Sequence, residues 1–514
     1  MNARTLPDKR LIDVLVLCAG GLLPLAFAPF ALWPLIYPLL MFLFWSWLYV
    51  SPRRAAWRGL LFGCGAFGVG TSWVYVSLNK FGGMAPPIAA IAVVFFVLLL
   101  AIFIALSGWL TRRLHGPGWS WRLVLLAPAV WTLIEWSRGL WVLSFPWLSV
   151  GYSQSSTAIA GVAAIGSAHL LSFIVVLLSV LALGLLPGSV TSHPGRAQSA
   201  DWKDRTGCLL AIIMVLVCSI FSARVEWTQA QGEAISIAMI QANIPIEHKW
   251  QANRIAEIEQ TYLDMSNEIR DVDLIVWPEA AVPHLVDQLG EDFWASLEQH
   301  PATFLFGAVE GALHDGRPVL HNSAVLAASE QPIALYRKRH LVAFGEYVPF
   351  GNWLRAVVEY MAIPMADMRP WPEPQGAFSI AGVPVGISIC YEDSFAEDMR
   401  RSIPEARLLI NISEDAWFGD SFGPHQRQQM GVVRAIETGR PLLRSSNTGV
   451  TSVIDQYGRE IERAPMFERT VLRVEIQPVT GVTPFARFGI WPILAISLLL
   501  VLLSLATSIV RRSH

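Results

Sequence analysis

Charge is what this chain has least of. Of its 514 residues 15% are Asp, Glu, Lys or Arg and 54% are hydrophobic, where a soluble globular chain carries about 25% charge. A wholly water-soluble protein is excluded, and the composition is that of a membrane protein. Neither sign dominates: the formal net charge of −2 offers nothing to nucleic acid. The sequence holds no internal repeat, coiled-coil heptad run or low-complexity tract, which argues against solenoid and fibrous architectures. It has no metal-ligand spacing, so neither a metal nor any other cofactor is expected. Cysteine is scarce too. Cys18, Cys64, Cys208 and Cys218 lie in long apolar runs, leaving Cys390 alone in the polar stretch.

What is present in quantity is apolar length. Eight runs approach the roughly 20 residues that cross a bilayer: 11–30, 32–50, 57–78, 86–110, 123–141, 158–187, 207–225 and 488–510. Pro34 and Pro38 predict that the second is kinked or starts later. Lys9 and Arg10 before the first run resemble a signal peptide. However, Ala26-Phe27-Ala28 is followed by Pro29 and more apolar sequence, so a retained anchor is expected. Cys18 follows bulky Leu17 and reads as a core cysteine rather than a lipidation site.

Basic residues fall on alternate connections. Arg53, Arg54 and Arg58, then Arg112, Arg113 and Arg122, then Arg196, Lys203 and Arg205, and finally Arg511 and Arg512 mark one side; the short loops opposite carry Lys80 and Arg138. With the N-terminus inside, seven crossings place residues 226–487 outside and the eighth returns the tail. The expectation is a multi-pass inner-membrane protein with cytoplasmic termini and a periplasmic polar domain. Its divisions would be 1–228 (seven helices), 229–480 (the polar domain) and 487–514 (the eighth helix and tail). Near the end of the fifth run Glu135 and Arg138 read either as an ion pair at a helix end or as a lipid-headgroup site. Trp141, Phe145, Pro146, Trp147 and Tyr152 read as an interfacial aromatic belt.

From 234 to 476 short β-branched runs alternate with amphipathic ones. Strands are expected at 235–240, 273–277, 303–306, 323–326, 333–336, 385–390 and 407–412. Helices are expected at 255–269, where Ile255, Ile258, Tyr262, Met265 and Ile269 share one face, and at 393–402 and 425–438. This is an α/β layered domain with helices covering a sheet. Three polar clusters follow strands: Trp277-Pro278-Glu279, Tyr336 through Pro349 with Lys338 and Glu346, and Cys390-Tyr391-Glu392. Functional groups gather at the carboxyl ends of strands in such sheets. A strand-ending thiol with no partner reads as a nucleophile.

A Glu after one strand, a Lys after another and a Cys closing a third resembles the nitrilase superfamily, and more specifically its integral-membrane branch, the apolipoprotein N-acyltransferases. The resemblance runs through Gln241-Ala-Asn-Ile-Pro245 with Trp250, Trp277-Pro-Glu279, Lys338 to Pro349 and Ile389-Cys-Tyr-Glu392. It continues in Asp415-Ala-Trp-Phe-Gly419, Arg434 to Pro441 and Asn447-Thr-Gly449. In the apolar half it includes Phe81-Gly-Gly83, Phe145-Pro-Trp147 and Gly151-Tyr-Ser-Gln154. Three positions depart from the pattern: Glu414 stands for Asn, Arg427 for His and Ala343 for Pro.

The resemblance implies an α+β multi-domain membrane protein: an eight-helix transmembrane domain with an extracytoplasmic α-β-β-α sandwich. It also implies a Glu279–Lys338–Cys390 triad. Glu279 would be the base, its pKa raised toward working pH by burial. Lys338 would stabilise the oxyanion with a backbone N–H near Tyr391. Glu346 would support or orient substrate, and Tyr391 and Glu392 would shape the nucleophile turn. Trp250 and Trp417 match positions around the acyl pocket, although ordinary core packing accounts for them equally. Residues 350–371, rich in Phe, Trp and Met, read as a membrane-dipping lid.

The implied reaction moves an acyl chain from a membrane phospholipid, phosphatidylethanolamine by resemblance, through a Cys390 thioester to the N-terminal amine of a diacylglyceryl-cysteine apolipoprotein. The protein would act as a monomer. A membrane-bound amidase or esterase remains the alternative. A transporter reading is disfavoured by the few intramembrane charges and the absence of repeats. A Cys–His arrangement with His284, His340 or His425 departs from the family pattern.

Overall fold

The computed structural model describes residues 9–140, 144–187, 202–314, 317–328, 331–348 and 368–513. The chain divides into two compact units. One comprises Met1–Val74, Pro87–Val225 and Phe488–His514; the other comprises Tyr75–Pro86 and Glu226–Arg487.

In the first unit every predicted span contains helix, but not every helix is long. Among the described residues four are long and apolar enough to cross a bilayer: Pro86–His115, Ala160–Leu185, Trp202–Ser222 and Trp491–Ser508. A fifth is added if Pro52–Gly70 and the bent continuation Trp73–Phe81 count as one. Lys9–Leu22 has 14 residues, Ile36–Trp47 has 12 and Trp121–Ser137 has 17. Proline accounts for two of these. Pro24 sits in the 3-10 turn that ends the first helix, and Pro34 in the turn that delays the second to Ile36. The helices Lys9–Leu22 and Pro52–Gly70 touch backbone to backbone. A Cβ on Gly65 would lie 2.6 Å from the Gly21 amide nitrogen, so this approach requires glycine.

Ile91, Phe95, Leu210, Phe221 and Leu503 face outward from this unit, as lipid contact demands. Glu135 and Arg138 do not: both are buried. The Glu135 carboxylate accepts the Val150 N–H at 3.0 Å, and Arg138 donates to Ser149 Oγ at 3.0 Å. The pair therefore braces the Ser149–Val150 turn inside the bundle. The expected aromatic belt is corrected in the same way. Phe145, Trp147 and Tyr152 are buried, and the Phe145 and Trp147 rings stack at 5.3 Å. Their apolar area goes to helix packing; Trp141 lies outside the described residues.

The second unit is built on two sheets. The first is ordered β14 (Thr470–Ile476), β2 (Ile235–Gln241), β3 (Leu274–Val276), β5 (Thr303–His314), β6 (Arg317–Ala328) and β7 (Gln331–Arg337), with β4 (Val282–Leu285) beside β5. The second is ordered β13 (Glu460–Arg463), β12 (Ser452–Ile454), β11 (Leu442–Ser446), β10 (Leu408–Ser413), β9 (Val383–Ile389) and β8 (Phe378–Ile380). A short pair joins β1 (Thr228–Ala230) to β15 (Val479–Gly481).

Strands β2, β3 and β5 run parallel, as do β9, β10 and β11. Between the sheets Ile237, Met239, Leu274, Val276 and Leu305 meet Val385, Ile387, Ile389, Leu408 and Ile410 in one core. On the outer face of the first sheet Ile258, Tyr262, Phe293 and Leu297 from two helices pack on Ile240, Trp277 and Phe306. Met399 and Ala435 cover Leu409, Leu442 and Ile454 of the second. The order is helix, sheet, sheet, helix. It arises because the central strands β2, β3, β9 and β10 are buried on both faces and so need cover on both.

The expected helix at 393–402 is shorter. A 3-10 turn, Cys390–Ser394, precedes a five-residue helix, Ala396–Arg400. The proposed lid falls largely outside the described residues, which omit 349–367.

Candidate active site

Parallel strands deliver their carboxyl ends to one edge, and the polar clusters meet there. Glu279 follows β3, Lys338 follows β7, and Cys390 directly follows β9. Lys338 Nζ lies 3.1 Å from Glu279 Oε1 and 2.8 Å from Glu346 Oε1, and all three side chains are buried. Glu279 and Lys338 both act electrostatically on the Cys390 thiol. Gly307 on β5 makes room for this: a Cβ there would come within 2.6 Å of the Glu279 Cα.

The nucleophile turn is tightly held. Cys390 has φ +48, in the left-handed region that a residue with a Cβ enters at a cost. Asn411 Nδ2 donates to the Cys390 carbonyl at 3.1 Å. Glu392 accepts from the Ile389 N–H at 2.7 Å, the Tyr336 hydroxyl at 2.9 Å and the Arg339 N–H at 2.7 Å. It thus staples the Cys390 turn to the end of β7 that carries Lys338. Tyr391 is buried, with its ring edge-on to Phe395 at 5.2 Å.

Trp250, half-buried, packs in a small cluster with Val309, Leu341 and Met368. The Trp417 ring meets Phe81 edge-on at 6.4 Å, and its carbonyl accepts from Ser77 Oγ at 2.7 Å.

Several members of the site escaped sequence reasoning. Asn322 on β6 donates to Glu279 Oε1 and to Glu346 Oε1, each at 2.7 Å. It bridges the two carboxylates that flank Lys338. Glu414 contributes its N–H to Glu279 Oε2 at 3.0 Å, while its side chain pairs with buried Lys249. Lys249 Nζ also reaches the Glu279 carbonyl at 2.9 Å. Arg427 Nη1 lies 3.5 Å from Cys390 Sγ. The departures Glu414 and Arg427 were the available signal, since an unexpected charge in a motif implies a local partner.

Electrostatics corrects one expectation. Burial alone would raise the Glu279 carboxyl, but the Lys338 ammonium and the hydrogen bond from Asn322 outweigh it and hold the group below the usual carboxylate range. Lys338 responds reciprocally: burial disfavours its charge, and Glu279 and Glu346 more than restore it, raising the ammonium above its ordinary value. Burial and the Glu279 charge push the Cys390 thiol up to about 12. The resting site therefore pairs a neutral thiol with a charged Glu279–Lys338 couple. Glu392 is raised by burial to about 7. Among the described residues no grouping of His, Cys, Asp and Glu has a metal-holding arrangement.

Two family models match the chain. Residues 19–181 match the apolipoprotein N-acyltransferase N-terminal domain, and residues 236–484 match carbon-nitrogen hydrolase. The class is a nitrilase-like carbon-nitrogen hydrolase fold in a chain that also carries helices long and apolar enough to cross a membrane.

Relatives narrow it further. An apolipoprotein N-acyltransferase of Methylococcus capsulatus is 41% identical over 484 residues, covering 93% of each chain. One of Nitrosomonas europaea is 37% identical over 470 residues, 90% of each. One of Pseudomonas paraeruginosa is 34% identical over 503 residues, covering 96% of this chain and 95% of its own. The chain belongs to the apolipoprotein N-acyltransferase family.

Proposed function

We propose that the protein transfers a fatty acyl chain from a membrane phospholipid, through a thioester on Cys390, to the N-terminal amine of a diacylglyceryl-cysteine apolipoprotein. The observation that carries this reading is the convergence of Glu279, Lys338 and the Cys390 thiol at one strand edge in a chain of this family.

In the first half-reaction Glu279 accepts the thiol proton as Sγ attacks the ester carbonyl. A free thiolate is costly at a thiol raised to about 12, so proton transfer accompanies attack. The carbonyl oxygen becomes an oxyanion. Lys338 spends two N–H groups on Glu279 and Glu346, and an ammonium has three, so one is left for the oxyanion beside a backbone N–H near Tyr391. The ester C–O bond breaks, and Glu279 returns its proton to the departing lysophospholipid.

In the second half-reaction the acceptor amine attacks the thioester carbonyl and Glu279 takes its proton. The C–S bond breaks and the proton passes to Cys390, giving an N-acylated lipoprotein and the free enzyme. Two displacements through one acyl-enzyme make the kinetics ping-pong. Glu346 and Glu392 hold Lys338 and the Cys390 turn in place, and Trp250 and Trp417 line the acyl pocket.

The alternation of arginine-rich connections supports eight crossings of a cell inner membrane, with both termini cytoplasmic and residues 229–480 in the periplasm. The proposed donor is phosphatidylethanolamine, as the sequence resemblance implies, and the proposed acting form is a monomer.

Intact-protein mass spectrometry after exposure to phospholipid, with no acceptor, tests the covalent step. The wild type gains one acyl mass and Cys390→Ser does not; an unmodified wild type refutes the scheme. Adding a diacylated peptide discharges the enzyme into N-acyl peptide. Discharge to free fatty acid alone makes it a hydrolase.

A further inference from the structure

The Phe422–Thr438 helix sends Arg427 toward the nucleophile. Its guanidinium is fully buried, and Nη1 lies 3.5 Å from Cys390 Sγ. The same Nη1 donates to Ser413 Oγ at 2.8 Å and to Asp415 Oδ1 at 2.5 Å, and Nη2 donates to Asp393 Oδ1 at 3.0 Å. Behind it Arg444 on β11 sets Nε 3.3 Å from Asp393 Oδ2. Two arginines and two aspartates thus form a closed, charge-balanced block with one guanidinium edge presented to the sulfur. A purely structural cation is satisfied by its carboxylates. This one is also aimed at the sulfur, on which negative charge develops in the proposed mechanism as the thiol proton leaves.

We propose that Arg427 is a positioning residue for the nucleophile: its guanidinium orients the Cys390 sulfur and stabilises the negative charge that develops there during attack. The proposal rests on Cys390 being the nucleophile, and it adds a cation to the Glu279–Lys338 couple.

The charges acting on the sulfur come from several elements. Glu279 after β3 and Asp415 after β10 oppose thiolate formation; Lys338 after β7 and Arg427 from the helix favour it. Glu346 backs Lys338, and Lys249 with Glu414 backs Glu279. Asp393 and Arg444 back Arg427. Burial and Glu279 outweigh the cations at rest and leave the thiol high. Arg427 therefore lowers a barrier rather than creating a standing thiolate. Without it, Asp393 and Asp415 would face the sulfur with Arg444 as their remaining partner.

The test is the rate of Cys390 carboxamidomethylation by iodoacetamide, followed by peptide-resolved mass spectrometry on the full-length protein in detergent between pH 6 and pH 11. Only the thiolate reacts, so the pH profile reports the charges around sulfur directly. Arg427→Gln is expected to react about tenfold more slowly at pH 8, with its profile displaced upward by about one pH unit. Asp415→Asn, which removes an opposing charge, is expected to shift the profile the other way. A structural role alone would not give opposite signs.

Removing one partner of a buried ion pair can prevent folding. The double variant Arg427→Gln/Asp415→Asn therefore keeps the charge balanced and is compared with Asp415→Asn alone. It is expected to be about tenfold slower at pH 8. Folded Arg427→Gln matching wild type within twofold, or the double variant matching Asp415→Asn within twofold, overturns the proposal. Alkylation needs no lipid. A wild type that shows the Arg427 effect but gains no acyl mass would sink the acyl-transfer reading and leave this one standing.

Discussion

Lys338 Nζ lies 3.1 Å from Glu279 Oε1, a buried ion pair joining groups 59 residues apart in the chain. Each partner sets the other's protonation, so removing one changes the chemistry of both. Lys338→Met is expected to slow acyl-enzyme formation at least hundredfold, from lost oxyanion stabilisation. It should also displace the pH profile upward, because burial then governs Glu279. Glu279→Gln is expected to cost about 10²–10⁴ in the same rate while the protein stays folded. Acyl mass gain against time and pH reads both.

Asn322 donates to both carboxylates that flank Lys338. Asn322→Ala leaves each buried oxygen short of a donor, a loss of about 1–3 kcal/mol per group. Acylation is expected to fall about tenfold to a hundredfold, with Cys390 still accessible to iodoacetamide. An unchanged acylation rate would show that Asn322 is not needed to orient Glu279.

Lys249 and Glu414 form a buried pair beside Glu279. Breaking such a pair from one side strands a charge at about 3–5 kcal/mol, whereas removing both charges costs much less. Lys249→Met is therefore expected to lower the melting temperature more than Lys249→Met/Glu414→Gln. Equal losses would mean that the two residues do not act on each other. In a thermal unfolding series the double-mutant cycle gives the coupling directly.

Glu392 makes stability depend on pH. Its carboxyl is raised by burial to about 7 in the folded protein, against about 4.3 in an unfolded chain. Between those values the folded state holds a proton that the unfolded state has lost. Its contribution to stability is therefore present below the unfolded value and lost as pH rises toward 7. From pH 5 to pH 8 the wild type is expected to lose stability relative to Glu392→Gln, by roughly 3 kcal/mol at most. Glutamine offers fewer acceptors to Ile389, Tyr336 and Arg339, so the variant starts weaker and the gap narrows with pH. A gap that holds constant would mean that Glu392 does not titrate in this range.

Local pattern determined a good deal. Apolar run length marked the helices of the first unit. The face Ile258–Tyr262 was visible as a helical period, and both residues are buried against the first sheet. Glu279, Lys338 and Cys390 were legible because each directly follows or closely trails a strand, and a strand end is a local signal. What escaped was set by partners far away in sequence. The prolines that shorten the early helices were visible, but the burial of Phe145 and Trp147 depends on which helices surround them.

The same division holds for charge. The amino-acid sequence alone supplied the acid, the ammonium and the thiol, since those are residue types at recognisable positions. Whether Glu279 would rise or fall, and whether Arg427 would meet solvent or sulfur, depended on distances of a few ångströms. In a poorly screened interior the Coulomb energy changes steeply over that range. Those distances exist only after two sheets have packed, which is why tertiary structure decided them.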